Sequence, residues 1–209
     1  IGSSHIDHRL RCGDFSDQEC ECAIPRLAIE LPQFELQDAV LLIGCQPRYE
    51  QPMLAHWLRR AANRGTRLLR INPRRFDERM RFTVDAVTHP QQMISMLLGV
   101  IKKVASELRY DLPKKTEKQL KKIKPDDSAV AIAEALLSGD SRQIVLGNLI
   151  YYHPQGGVIR SVVWLLADMF NAGYSYLTDG ANARGAWVAG ALPHVAPEGE
   201  VELPGMVAK

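Results

Sequence analysis

Residues 39–44 form a short, unbroken apolar run that ends in glycine. Such a run suits a strand buried on both faces of a sheet. From Pro52 the pattern changes period. Met53, Leu54, Trp57, Leu58 and Ala61 recur at helical spacing, while Arg59, Arg60 and Arg64 fall on the other side. Pro52 suits a first helical turn, and Gly65 suits the left-handed position that ends a helix. Residues 66–71, TRLLRI, read as a second strand and close on Asn72-Pro73. The stretch from Asp38 to Arg74 therefore reads as strand, helix, strand, the βαβ unit of a parallel sheet. Its loops at the strand carboxyl ends, CQPRYE and NPRR, would face one crevice, where open α/β sheets bind ligands.

The same alternation continues. Residues 82–87 can form a short strand. Pro90 opens a helix whose stripe runs Met93, Ile94, Leu97, Leu98, Ile101, Val104, Ala105 and Leu108. Residues 110–124 are Lys-rich with little apolar content, so a surface loop with a short exposed helix is expected. Asp126 can cap a helix that buries Ala129, Ile132, Ala133, Leu136 and Leu137. Residues 143–147 repeat the apolar strand closed by glycine. A loop over 148–157 leads to a largely buried helix with Val158, Ile159, Val162, Val163, Leu165, Leu166 and Phe170. Residues 174–177 form a last strand before a Gly-rich loop. The expectation is a three-layer α/β fold of two Rossmann-like lobes with short, mostly parallel sheets. The first lobe would span residues 1–110, the Lys-rich connection 111–125 and the second, incomplete lobe 126–209. Residues 24–36 alternate irregularly around Pro25 and Pro32 and are expected to be extended.

Composition narrows the function. The 209 residues are 46% hydrophobic and 24% charged, with net charge +2, which gives no global case for nucleic acid. No apolar run approaches the roughly 20 residues of a membrane span. The start of the chain carries no apolar signal core, and Cys12, Cys20, Cys22 and Cys45 form no disulfide framework, so a reducing cytosolic setting is expected. A start at Ile1 without Met and the Pro/Gly-rich tail read as a piece of a longer chain.

Local chemistry is sparse. Cys20-Glu21-Cys22 lacks the second pair that a structural metal site needs. His5, His8, Arg9 and Arg11 could meet an anion or a partner, and the plainer reading is a loop packed against other parts of a parent protein. GxGxxG is absent after either strand, as are the P-loop, GxSxG and HExxH patterns. His89, His153 and His194 are isolated and read as structural or surface residues, and Asp179 as a turn former.

Three ordered blocks carry a resemblance. GSSHIDHRLR at 2–11, DAVLLIGCQPRYEQPMLAHWLRRAANRGTRLLRINP at 38–73 and GANARGAWVAGALPH at 180–194 resemble the large iron–sulfur subunits of respiratory NADH:quinone oxidoreductase, complex I. Those subunits belong to the molybdopterin oxidoreductases, with formate dehydrogenase and nitrate reductase. The resemblance implies a fold like domains 1–3 of formate dehydrogenase. It also implies a vestigial cofactor site at Gly44, Gln46, Pro47, Asn72, Arg74, Gly180 and Asn182. Asn72-Pro73-Arg74 stands where the family usually has Asp-Pro-Arg, an amide in place of the carboxylate at the guanine-nucleotide end. A molybdenum-ligating Cys belongs near residues 7–13. Cys12 is close, but the aligned position is Gly13, so no catalytic residue and no metal ligand are assigned.

The resemblance further implies that the 4Fe-4S and 2Fe-2S clusters belong to an absent N-terminal part, and that molybdopterin is not retained. The function implied is a scaffold within respiratory NADH dehydrogenase, passing electrons from NADH to quinone. Partners would be the other hydrophilic-arm subunits, with no nucleic acid. The place implied is peripheral, on the cytoplasmic side of a bacterial inner membrane. The alternative is the cofactor-binding region of a molybdopterin-guanine-dinucleotide oxidoreductase such as formate dehydrogenase. A free-standing nucleotide-binding α/β protein is the third reading. Cut from a parent, the chain is expected to self-associate near residues 24–36 or 195–207.

Overall fold

The computed structural model describes residues 6–9 and 13–192. Five strands, β1 (Ala39–Ile43), β2 (Arg67–Asn72), β3 (Val84–Val87), β4 (Arg142–Leu146) and β5 (Gly173–Tyr176), form one sheet in the order β3-β2-β1-β4-β5. Every pairing is parallel, with Leu41 opposite Leu69 on one side and opposite Ile144 on the other. The strands expected in two separate short sheets thus lie in a single sheet. The physical reason is that β1 and β4 are apolar on both faces. Each needs neighbours on both edges, and pairing with each other supplies one.

Alternation along β1 sorts the core. Ala39, Leu41 and Ile43 face helices α3 (Met93–Leu108), α5 (Asp127–Leu137) and α7 (Gly156–Phe170). Val40 and Leu42 face α2 (Pro52–Asn63) and a 3₁₀ segment, Leu31–Leu36. Helices on both faces make the three-layer α/β arrangement expected from the sequence. Leu54 and Leu58 of α2 are fully buried, worth about 1.5–3 kcal/mol each. Asp126 caps α5 as expected, accepting from the Ala129 amide at 2.7 Å. The Lys-rich connection carries the short α4 (Lys114–Leu120).

Two stretches differ from the extended chain and loop expected of them. Residues 31–36 are 3₁₀ helix, with a capping box between Glu30 and Gln33, and only Arg26 bridges the β5 edge, at Tyr176. Residues 148–151 form one helical turn, α6 (Asn148–Tyr151), and the Gly-rich loop contains α8 (Ala183–Val188).

Residues 13–23 pack on the chain's own α7. Arg160 is 2% exposed. Its Nε and Nη2 both donate to the buried Asp17 carboxylate, and Nη2 also donates to the Asp14 carbonyl at 2.6 Å. Burial opposes the Arg160 charge, but the Asp17 hydrogen bond wins and holds its pKa above the ordinary arginine value. Asp14 accepts the Gly157 amide at 2.8 Å, and a Cβ on Gly157 would sit 2.7 Å from the Ser16 hydroxyl. His5, Arg11, Cys12, His194 and residues 195–207 lie outside the described residues. No helix among the described residues is long and apolar enough to cross a membrane.

Candidate functional site

In this strand order the sheet changes direction between β1 and β4. Open α/β sheets bind ligands outside the carboxyl ends of the strands at such a point. Gly44 follows β1 with φ +57°, and a Cβ there would come within 2.7 Å of Ile150. Gly147 follows β4, and its Cβ would lie 2.3 Å from the Cys45 Cα. The two glycines let the two exit loops press together. The Gly147 amide donates to the Ile43 carbonyl at 3.0 Å, and the Leu149 amide to the Gly44 carbonyl at 3.1 Å.

One carboxylate completes the closure. Glu50 ends the short helix α1 (Pro47–Glu50). Its Oε1 accepts the Gln46 amide at 2.6 Å, and its Oε2 accepts the Asn148 amide at 2.9 Å. Burial pushes the Glu50 carboxyl above the ordinary range, against the lowering effect of those two N–H groups; Glu78 and Asp179 nearby push the same way. In dinucleotide-binding folds, backbone N–H groups at such a turn meet a phosphate. Here two of them meet the chain's own carboxylate.

Other side chains tie the remaining exits together. Asn72, 1% exposed at the end of β2, donates to the Cys45 carbonyl at 2.8 Å, and its buried Oδ1 has no partner among the described residues. Glu78, also buried, accepts the Arg48 amide at 3.0 Å. Gln51 reaches Thr178 at 3.4 Å, and Tyr152 is hydrogen-bonded to Asp179. Cys45 is completely enclosed, and burial first, then Glu50 and Glu78, raises its thiol pKa well above the ordinary value.

Of the residues singled out in the sequence, Gly44, Gln46, Pro47 and Asn72 come together here. Arg74 is exposed and stacks over Phe76 at 4.6 Å. Gly180 (φ +118°) and Asn182 (φ +59°, capping α8) are exposed beyond β5. Glu50, Glu78 and Asn148 were not singled out. The signal was present: Glu50 is the lone carboxylate of CQPRYE, four residues after Gln46, within reach of the amide that opens the turn. His153 is structural: its Nδ1 accepts the Gln155 amide at 3.0 Å and its Nε2 lies 3.0 Å from the Pro90 carbonyl. No group of three or more candidate metal ligands occurs among the described residues. A cleft of about 450 Å³ lies instead between Arg26–Ala28 and the end of α7. Arg26 there is paired with Glu21 at 2.7 Å, and Asp168 accepts the Tyr110 hydroxyl at 2.6 Å.

No family model and no curated protein matches the chain. Among solved structures, the chain is similar to one in the formyltransferase/hydrolase complex of Methylorubrum extorquens, solved with methylofuran. The two share 15% identity with a TM-score of 0.53, over 89% of this chain and 52% of that one. The present chain thus spans about half the length of the solved chain it matches. This finding overturns the resemblance to the complex I iron–sulfur subunits and the NADH:quinone role built on it. The hydrophilic-arm partners and the placement beside a respiratory membrane fall with it. The alternative as a molybdopterin-guanine-dinucleotide oxidoreductase gains no support either. The physical reason is that the longest matching block, residues 38–73, is a strand–glycine–helix–strand segment, which any parallel α/β sheet requires. At this identity the likeness shows the α/β fold alone.

Proposed function

We propose that this chain is a non-catalytic α/β unit within a multi-subunit enzyme assembly of the formyltransferase/hydrolase kind. The observation that carries the reading is Glu50, whose two carboxylate oxygens take the Gln46 and Asn148 amides. A crevice closed by its own side chain leaves those donors nothing to offer a nucleotide. The fold likeness to a chain of a formyltransferase/hydrolase complex supports the assembly part. In this reading the sheet and its sealed loops supply a rigid body for other chains to pack on, and the chemistry belongs to other parts of the assembly.

Two measurements test this. Calorimetric titration of the purified chain with purine nucleotides should give no binding heat. Native mass spectrometry of the tagged chain from its source cells should show a defined hetero-oligomer with formyltransferase or hydrolase activity. A stoichiometric nucleotide complex, or formyl transfer by the isolated chain, would overturn the reading.

A further inference from the structure

A second cleft lies on the outer side of the same carboxyl edge, beyond the sealed crevice. It holds about 230 Å³ and is lined by Arg48, His56, Arg59, Glu78 and Arg79, with Pro52 and Ala55 as its apolar wall. It forms where the first turns of α2 face the loop that follows β2. That volume is below the roughly 300–1,000 Å³ of sites for drug-sized ligands, so an occupant would be small.

Three arginines line it, and two of them, Arg48 and Arg79, face the Asp77 carboxylate at 3.5 and 3.9 Å. Arg48 also donates to the Asp77 carbonyl at 2.9 Å. Arg59 is exposed and has no acidic partner among the described residues. Glu78 also lines the cleft. It is 5% exposed, one carboxylate oxygen accepts the Arg48 amide, and the other has no partner among the described residues. A buried carboxylate oxygen without a hydrogen bond is costly, and a ligand donor would relieve that cost. Guanidinium groups in a fixed fork suit a phosphate. The cleft is therefore lined by three cations and one carboxylate acceptor.

We propose that this cleft binds a small hydroxylated phosphate, a polyol or sugar phosphate. Its phosphate meets Arg48, Arg59 and Arg79, and one hydroxyl donates to Glu78. The site is independent of the proposed assembly role and of the closure by Glu50.

The test is isothermal titration of the full chain with glycerol 3-phosphate and with inorganic phosphate, at constant ionic strength. Wild type should bind glycerol 3-phosphate more tightly than inorganic phosphate. Arg59→Gln, an exposed change, should weaken glycerol 3-phosphate by about tenfold or more, while Arg81→Gln, outside the cleft, should leave it unchanged. Glu78→Gln should narrow the preference over inorganic phosphate. Absence of binding by wild type would overturn the proposal, and so would equal losses in the two arginine variants. Equal affinity of wild type for the two phosphates would overturn the role given to Glu78.

Discussion

The two ends of the β1–β4 pair are tied by the same device in opposite surroundings. At the amino end, Asp38 accepts the amides of Asp140 at 2.8 Å and Ser141 at 2.9 Å. At the carboxyl end, Glu50 accepts those of Gln46 and Asn148. Asp38 is exposed, and the N–H groups of Ser141 and Asp140 hold its carboxyl below the ordinary value of 3.8. Glu50 is shielded, and burial pushes its carboxyl above the ordinary 4.5. A carboxylate in water gains from two N–H donors at little desolvation cost. The same group out of water must first lose its hydration, so closing the carboxyl edge costs stability that closing the amino edge does not.

The largest effect is expected from the glycines that permit the contact. Gly147→Ala would drive a Cβ into the Cys45 backbone, which has no rotamer to yield, and should cost about 3 kcal/mol in urea unfolding. Gly139→Ala at the other end would meet side chains, the Asp38 Cβ and the Arg67 guanidinium, each 2.6 Å away. It should cost less, about 2 kcal/mol, because the guanidinium can move although the Asp38 Cβ, set by its backbone, cannot. Equal losses would erase the distinction between the two ends.

Next in size is Glu50→Gln. One amide oxygen can still accept an N–H, but the amide nitrogen then faces a donor, leaving one backbone N–H unpaired. The expected loss is about 1–2 kcal/mol by chemical denaturation. A variant as stable as wild type would show that desolvation of the carboxylate already cancels its hydrogen bonds.

The two carboxylates also give pH dependences of opposite sign. Asp38 has a lowered folded pKa, so its contribution is complete above 3.8 and is lost as pH falls below it. Glu50 has a raised folded pKa. The unfolded chain then binds fewer protons between 4.5 and the folded value, and stability falls as pH rises through that window. In a thermal melting series, Asp38→Asn should remove part of the acid-side loss, and Glu50→Gln part of the loss above 4.5. These are the smallest of the expected effects.

Most of the fold was legible because it rests on periodicity. The runs at 39–44 and 143–147 mark the two central strands, and the stripe from Met93 to Leu108 marks α3. Their union into one sheet was not legible, since two apolar strands say that each needs partners but not that they are each other's. The crevice was legible from the loops CQPRYE and NPRR at the strand ends, whereas Gly44, Gln46, Pro47 and Asn72 were named through the family resemblance. Glu50 was missed because a single carboxylate in a polar loop has no periodic signature, and its second donor, Asn148, lies 98 residues away in the sequence. The family resemblance misled for a related reason: loop glycines in α/β sheets record backbone geometry, not ligand chemistry.

The central claim is that the Glu50 carboxylate fills the crevice between β1 and β4. It is tested most directly by amide hydrogen exchange at Gln46 and Asn148, in wild type and in Glu50→Gln. Both amides should be protected in wild type, and the variant should lose protection at one or both, with Asp140 and Ser141 unaffected. Rapid exchange at Gln46 and Asn148 in wild type, or protection unchanged in the variant, would contradict it.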